Sequence, residues 1–180
     1  MPSRTIINSR NFELTLRRLC YQLIENHHDF QESALIGLQQ GGVQLTERLA
    51  ALLKKDHGIK NVLTGTLDVT FFRDDFRRRS NPLVASDTRI NFEVESKKIV
   101  LLDDVLFTGR TIRSGLDALL SFGRPVQVEL LVLIDRRFSR HLPIQPDYVG
   151  RTVDTLPSER VEVYWKELNK EDKVLLITPP

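Results

Sequence analysis

Helical and strand-like periods alternate along the chain. Phe12, Leu16, Leu19, Cys20, Leu23 and Ile24 recur at helical spacing, which predicts an amphipathic helix over about residues 11–25. Residues 34–38 (ALIGL) form a short apolar run. Gln39-Gln40-Gly41-Gly42 follows, then a second helical pattern through Leu45, Leu49, Leu52 and Leu53. Lys54 and Lys55 in its last turn and Gly58 just beyond are stop signals. From Leu67 to Phe72 the side chains alternate, the mark of a half-exposed strand within residues 62–72. Residues 99–102 (IVLL) and 126–134 (VQVELLVLI) are apolar runs that read as strands buried on both faces. Between them Ile112, Leu116, Leu119 and Leu120 mark a third helix, which stops at Gly123-Arg124-Pro125. Further short strands are expected at Thr5-Ile6-Ile7, 147–153, 161–165 and 174–177.

This succession predicts an α/β fold: a mostly parallel central sheet with right-handed crossovers and helices on both faces. The length of 180 residues predicts one domain, residues 1–180. The charged stretch 73–82 ends in Asn81-Pro82 and is a loop, either a functional lid or a solvated hairpin tip. A net charge of +2 is too small to argue nucleic-acid binding by itself. Cys20 is the only cysteine, which excludes an internal disulfide and points to the cytoplasm. Its place on the apolar side of the first helix makes it a core thiol. His27 and His28 lack the i, i+4 spacing of a metal pair. No apolar run is long enough to span a bilayer, so no membrane partner is expected.

The chemistry concentrates in residues 99–111, IVLLDDVLFTGRT. An apolar strand delivers Asp103 and Asp104, and Phe107-Thr108-Gly109-Arg110-Thr111 then forms a hydroxyl-bearing turn that opens a helix. Unpaired N–H groups and the helix dipole at such a turn favour an anion. Gly109 allows close backbone approach, and the two threonines add hydroxyl donors, which suits a phosphate monoester. The GxxxxGK[ST] pattern of nucleoside-triphosphate loops is absent. The aspartates suit vicinal ribose hydroxyls, or Mg2+ held directly or through water. Consecutive strand side chains face opposite ways, so the two need not act on the same atom.

These residues closely resemble the phosphoribosyl pyrophosphate (PRPP) signature of the type I phosphoribosyltransferases. LDVTFFRDD (67–75), the stretch 105–125, LIDR (133–136), DYVG (147–150) and SERV (158–161) are similar to one branch, the pyrimidine-operon attenuators that are also uracil phosphoribosyltransferases. The resemblance implies that uracil and PRPP give UMP and pyrophosphate, with Mg2+ carried by PRPP and water and Asp103 as a further ligand. It implies that Val105, Leu106, Phe107, Thr108, Gly109, Arg110 and Thr111 bind the 5′-phosphate. Asp103 and Asp104 would face the ribose, with Asp104 as the base near the reacting nitrogen. Arg73, on a mobile loop of about residues 73–90, would close over pyrophosphate, which Gln40, Gly41 and Gly42 contact. A small C-terminal hood, about residues 138–180, would read uracil through Arg136 and Val161.

The family's second function is binding a messenger RNA leader through a basic face of a homodimer or higher oligomer. Arg17, Arg18, Arg140, His141 and Arg151 are its candidates here, whereas Tyr21, Asn26 and Gln145 stand where basic or histidine residues are expected. Gly41 likewise stands where the family usually carries an arginine, and Gln40-Gly41-Gly42 resembles the turn of purine-salvage relatives. The alternatives are therefore a purine-type phosphoribosyltransferase and a non-catalytic RNA-binding attenuator.

Overall fold

The computed structural model describes residues 2–39, 41–72 and 87–179. Its elements run β1 (Ser3–Ile7), α1 (Ser9–His27), β2 (Ser33–Leu38), α2 (Gly41–His57), β3 (Leu63–Leu67), β4 (Lys98–Leu106), α3 (Arg110–Leu119), β5 (Gln127–Arg137), β6 (Tyr148–Asp154), β7 (Arg160–Tyr164) and β8 (Lys173–Ile177). Five strands lie in the order β3-β2-β4-β5-β6, and every neighbouring pair is parallel.

Alternation along the central strands decides the layers. Leu35, Val100, Leu102, Leu131 and Leu133 face Phe12, Leu16, Leu19 and Leu23 of α1 and Leu45, Leu49 and Leu53 of α2. Ala34, Ile36, Leu38, Ile99, Leu101, Leu130 and Val132 face the other way, onto Ile112, Ala118 and Leu119 of α3. Helices therefore cover both faces, and each fully buried Leu, Ile or Val contributes about 1.5–3 kcal/mol of transfer free energy. The start of α1 is fixed by Asn8, whose side chain accepts the Asn11 N–H at 2.9 Å.

Three boundaries differ from the sequence expectation. The strand expected within 62–72 ends at Leu67, because Asp68 Oδ1 accepts the Thr70 N–H at 3.0 Å and its hydroxyl at 2.6 Å. That local bond competes with the ladder and starts a 3-10 turn, Thr70–Phe72. Residues 148–154, expected inside a hood beginning near 138, instead form the fifth parallel strand. Asp147 fastens them there: its N–H donates to Leu130 O and its carboxylate accepts the Leu130 N–H, both at 2.8 Å. The small antiparallel sheet is β1-β8-β7, so the N-terminal strand shares it with the C-terminal ones. It joins the α1 side of the core through Ile7, Trp165 and Val174, with Trp165 edge-on to Phe12 at 5.1 Å.

Candidate active site

Strand β4 does not stop before its aspartates but carries both of them, pairing Asp103 with Val132 and Val105 with Ile134 of β5. Alternation puts Asp103 on the α3 side, with Ile99 and Leu101, and Asp104 on the α2 side. There α2 begins almost in contact with the strand. A Cβ on Gly42 would lie 2.0 Å from the Leu102 carbonyl oxygen, and one on Gly41 would lie 2.1 Å from the Asp104 carboxyl carbon. Gly42 is thus required by this close approach to backbone, whereas at Gly41 the missing side chain leaves room for the Asp104 carboxylate.

Asp103 is 7% exposed, and its Oδ1 accepts the Asp104 N–H at 3.0 Å. Among the described residues neither carboxylate has an ion-pair partner. Burial raises the pKa of Asp103 well above the usual carboxylate range, and the neighbouring Asp104 charge raises it further. Burial raises that of Asp104 as well. Two adjacent acids in a low dielectric attract hydroxyl donors and cations.

After Leu106 the chain turns at Phe107–Gly109 into α3. Gly109 takes φ +88°, a left-handed conformation that favours glycine, and α3 starts at Arg110 with no side-chain cap. Asp103 and residues 105–112 line one cleft of about 170 Å3. The structure therefore brings every residue expected at the 5′-phosphate together with the first aspartate. The back of the turn is held by the segment after β5. His141 N–H and Leu142 N–H donate to Thr108 O at 3.0 and 3.3 Å, and Ile144 and Leu142 pack over Gly109.

Arg136, expected to read the base, is 4% exposed at the end of β5. It donates to Thr155 Oγ1 at 3.0 Å and Glu159 O at 2.9 Å, and its guanidinium lies 3.8 Å over the Phe107 ring. It joins the turn to the segment that leads into β7, where Val161 is half-buried. Arg73 and Gln40 lie outside the described residues. The end of the expected 73–90 loop is anchored, because Arg89 and Thr66 exchange backbone hydrogen bonds at 2.9 and 3.0 Å.

The arginines expected on an RNA face are engaged within the chain. Arg17 pairs with Glu13 at 2.9 Å and with Asp56. Arg18 reaches Val149 O at 3.2 Å and Gly150 O, and Arg151 donates to Ile6 O at 2.7 Å. Arg140 binds Asp135 and several backbone carbonyls, while His141 is exposed. Sequence reasoning missed the structural part of these residues and the packing of Ile144 on Gly109. A backbone carbonyl partner leaves no mark in a residue pattern.

Among the described residues no group of three or more His, Cys, Asp or Glu converges as a metal cage. Asp103 and Asp104 supply hard oxygen donors, a set that fits Mg2+ held mainly by substrate oxygens and water. Among the same residues no helix is long and apolar enough to cross a membrane.

A buried acid pair on a parallel strand runs into a turn at a helix start, and residues 3–167 match the phosphoribosyl transferase domain family. The fold is similar to the hypoxanthine phosphoribosyltransferase of Staphylococcus aureus, with TM-score 0.72, 19% identity and cover of 98% of this chain and 93% of that one. It is equally similar to that of Trypanosoma cruzi, with TM-score 0.72, 14% identity and cover of 98% and 97%. In sequence the chain is 42% identical over 180 residues to the bifunctional protein PyrR of Desulfosudis oleivorans, covering 99% of each. It is 40% identical to that of Caldicellulosiruptor bescii, covering 96% of this chain and 94% of the relative. The chain belongs to the phosphoribosyl transferase family and, within it, to the bifunctional PyrR proteins.

Proposed function

We propose that the chain transfers the phosphoribosyl group of PRPP to uracil, giving UMP and pyrophosphate, and that UMP modulates its binding to a messenger RNA leader. The observation that carries the enzymatic part is the cleft of about 170 Å3 shared by Asp103 and the 107–111 turn, which sets an acid group beside a turn at a helix start. In this reading the turn holds the 5′-phosphate. The bond from C1′ to pyrophosphate breaks as the bond to the uracil nitrogen forms, and positive charge on the sugar is stabilised by the two buried carboxylates. Asp104 takes the proton from the reacting nitrogen, a role its raised pKa favours. The α2 start at Gly41 and Gly42 offers backbone donors to pyrophosphate, with Gln40 and Arg73 completing that side. Mg2+, bound with PRPP, supplies charge neutralisation on the leaving pyrophosphate. Arg136 and Val161 form the base side.

The structural neighbours act on hypoxanthine but share only the fold, so they lend no weight to a purine substrate. A pyrophosphate-release assay with uracil, hypoxanthine and guanine tests the reading directly. Turnover with uracil, lost in Asp104→Asn, is expected; turnover with a purine and none with uracil would replace it. The regulatory part implies a homodimer or higher oligomer in the cytoplasm. RNA affinity that rises with UMP and falls steeply with salt is its expected signature. Arg18, His141 and Arg151 are the exposed members of the candidate face, so the RNA affinity should lean on them more than on Arg140.

A further inference from the structure

We propose that Arg140 is a positioning residue for the 5′-phosphate turn, a clamp that aims its backbone N–H groups, and not a contact for RNA. The inference deepens the reading above and rests on its assignment of residues 107–111 to the 5′-phosphate.

Three consecutive carbonyls of the turn are held from one side. Arg140 Nη1 donates to Leu106 O at 3.3 Å and to Phe107 O. The next carbonyl, Thr108 O, accepts the N–H groups of His141 and Leu142. A trans peptide is planar, with its C=O and N–H pointing opposite ways. Fixing the Phe107 and Thr108 carbonyls on the 140–142 segment therefore turns the N–H groups of Thr108 and Gly109 to the far side. Successive N–H groups aligned in this way form an anion-binding concavity.

The arginine is itself immobilised. Its Nε donates to Ile144 O at 3.1 Å, Nη1 also reaches Arg136 O at 3.2 Å, and Nη2 pairs with Asp135. All three nitrogens are engaged, and the side chain is 23% exposed, so little of it is offered to a phosphate from outside. The planar fork of a guanidinium reaches carbonyls on several sides at once, which the single point of a lysine ammonium cannot. Arg136 completes the arrangement from below: its guanidinium lies on the Phe107 ring while its carbonyl accepts from Arg140.

The test is calorimetric titration of the full chain with ribose 5-phosphate and, separately, with Mg2+-pyrophosphate, in the parent, Arg140→Ala and Arg140→Lys. Arg140→Ala should weaken ribose 5-phosphate about tenfold or more, the size expected for lost charge-assisted positioning, and leave pyrophosphate within about twofold. Arg140→Lys should fall between parent and alanine, and added guanidinium should restore part of the alanine loss. In turnover the KM for PRPP should rise while the KM for uracil holds. Unchanged ribose 5-phosphate affinity in Arg140→Ala, with RNA affinity reduced, would overturn the proposal and make Arg140 an RNA contact. Should the alanine variant fail to fold, parent-like ribose 5-phosphate binding by Arg140→Lys overturns it equally. A parent chain that binds no ribose 5-phosphate instead refutes the assignment of the turn, and the clamp with it.

Discussion

Replacing Asp103 by asparagine should make the protein more stable and less active. The carboxylate is 7% exposed, has no ion pair among the described residues, and accepts one hydrogen bond, from the Asp104 N–H at 3.0 Å. An ionised carboxylate offers about four lone-pair sites, so most of its capacity is unmet when it is buried. Leaving a buried polar group unsatisfied costs about 1–3 kcal/mol, and the adjacent Asp104 charge adds to it. Asparagine keeps the accepting oxygen and removes the charge. The sign follows from the raised pKa of Asp103. The folded state holds its proton to higher pH than the unfolded one, so the parent loses stability as pH rises through and above the unfolded carboxylate range near 4. The advantage of Asp103→Asn should therefore be absent at pH 4 and below and grow toward pH 7, to about 1–3 kcal/mol. For a chain of this size that is a rise in Tm of roughly 2–10 °C at pH 7. Activity should fall about 10- to 100-fold, the worth of a charge-assisted hydrogen bond to a ribose hydroxyl. Urea unfolding from pH 4 to 8 at fixed protein concentration, alongside turnover, measures both. A variant less stable than the parent at pH 7 would refute the reasoning, because it would mean that the carboxylate is stabilised by its surroundings.

The two glycines at the start of α2 should respond differently. Gly42→Ala drives a methyl against the Leu102 backbone carbonyl, so a net loss of about 2 kcal/mol or more is expected in thermal unfolding despite the better helix propensity of alanine. Gly41→Ala meets only the Asp104 side chain, which can rotate, so Tm should move little while turnover collapses. The Cys20 thiol is pushed up to about 12 by burial and should resist alkylation at pH 8 until the chain is unfolded; labelling of native protein would contradict its place between α1 and α2. Burial also lowers the pKa of His27, which contacts Ser33 at 2.8 Å and Glu129 at 3.0 Å, with Tyr148 and Asn26 in the same network and Lys98 and His28 nearby. The unfolded state gains the proton first, so stability should decline as pH falls below about 6.5, and His27→Gln should flatten that slope; an unchanged slope would place its origin elsewhere.

The fold was legible where one strand's own residues determine its burial. Residues 99–102 and 130–134 are apolar on both faces and lie buried in β4 and β5 of the central sheet, and the acid pair and its turn are adjacent in sequence, so a local pattern carried much of the fold around them. What was illegible depends on partners far along the chain. The pairing of β1 with β8 joins opposite ends, and a crossover with no helix hides the parallel return of β6. Arg18, Arg140 and Arg151 also donate to backbone carbonyls, which have no residue identity to detect.

Gly41 shows the same limit from the other side. By sequence it is a missing cation in an anionic site. In the fold it is the space that the Asp104 carboxylate occupies, 2.1 Å from where any Cβ would stand. An arginine at 41 and Asp104 in this position exclude one another, so the substitution removes a charge and at the same time admits the acid to the start of α2. The positive end of that helix dipole then faces a buried carboxylate, a favourable contact that partly offsets the cost of burying it. In the proposed reaction pyrophosphate comes to the same helix start, so two anions compete for one set of donors. The pyrophosphate charge should therefore raise the proton affinity of Asp104, which favours its accepting the proton from the base.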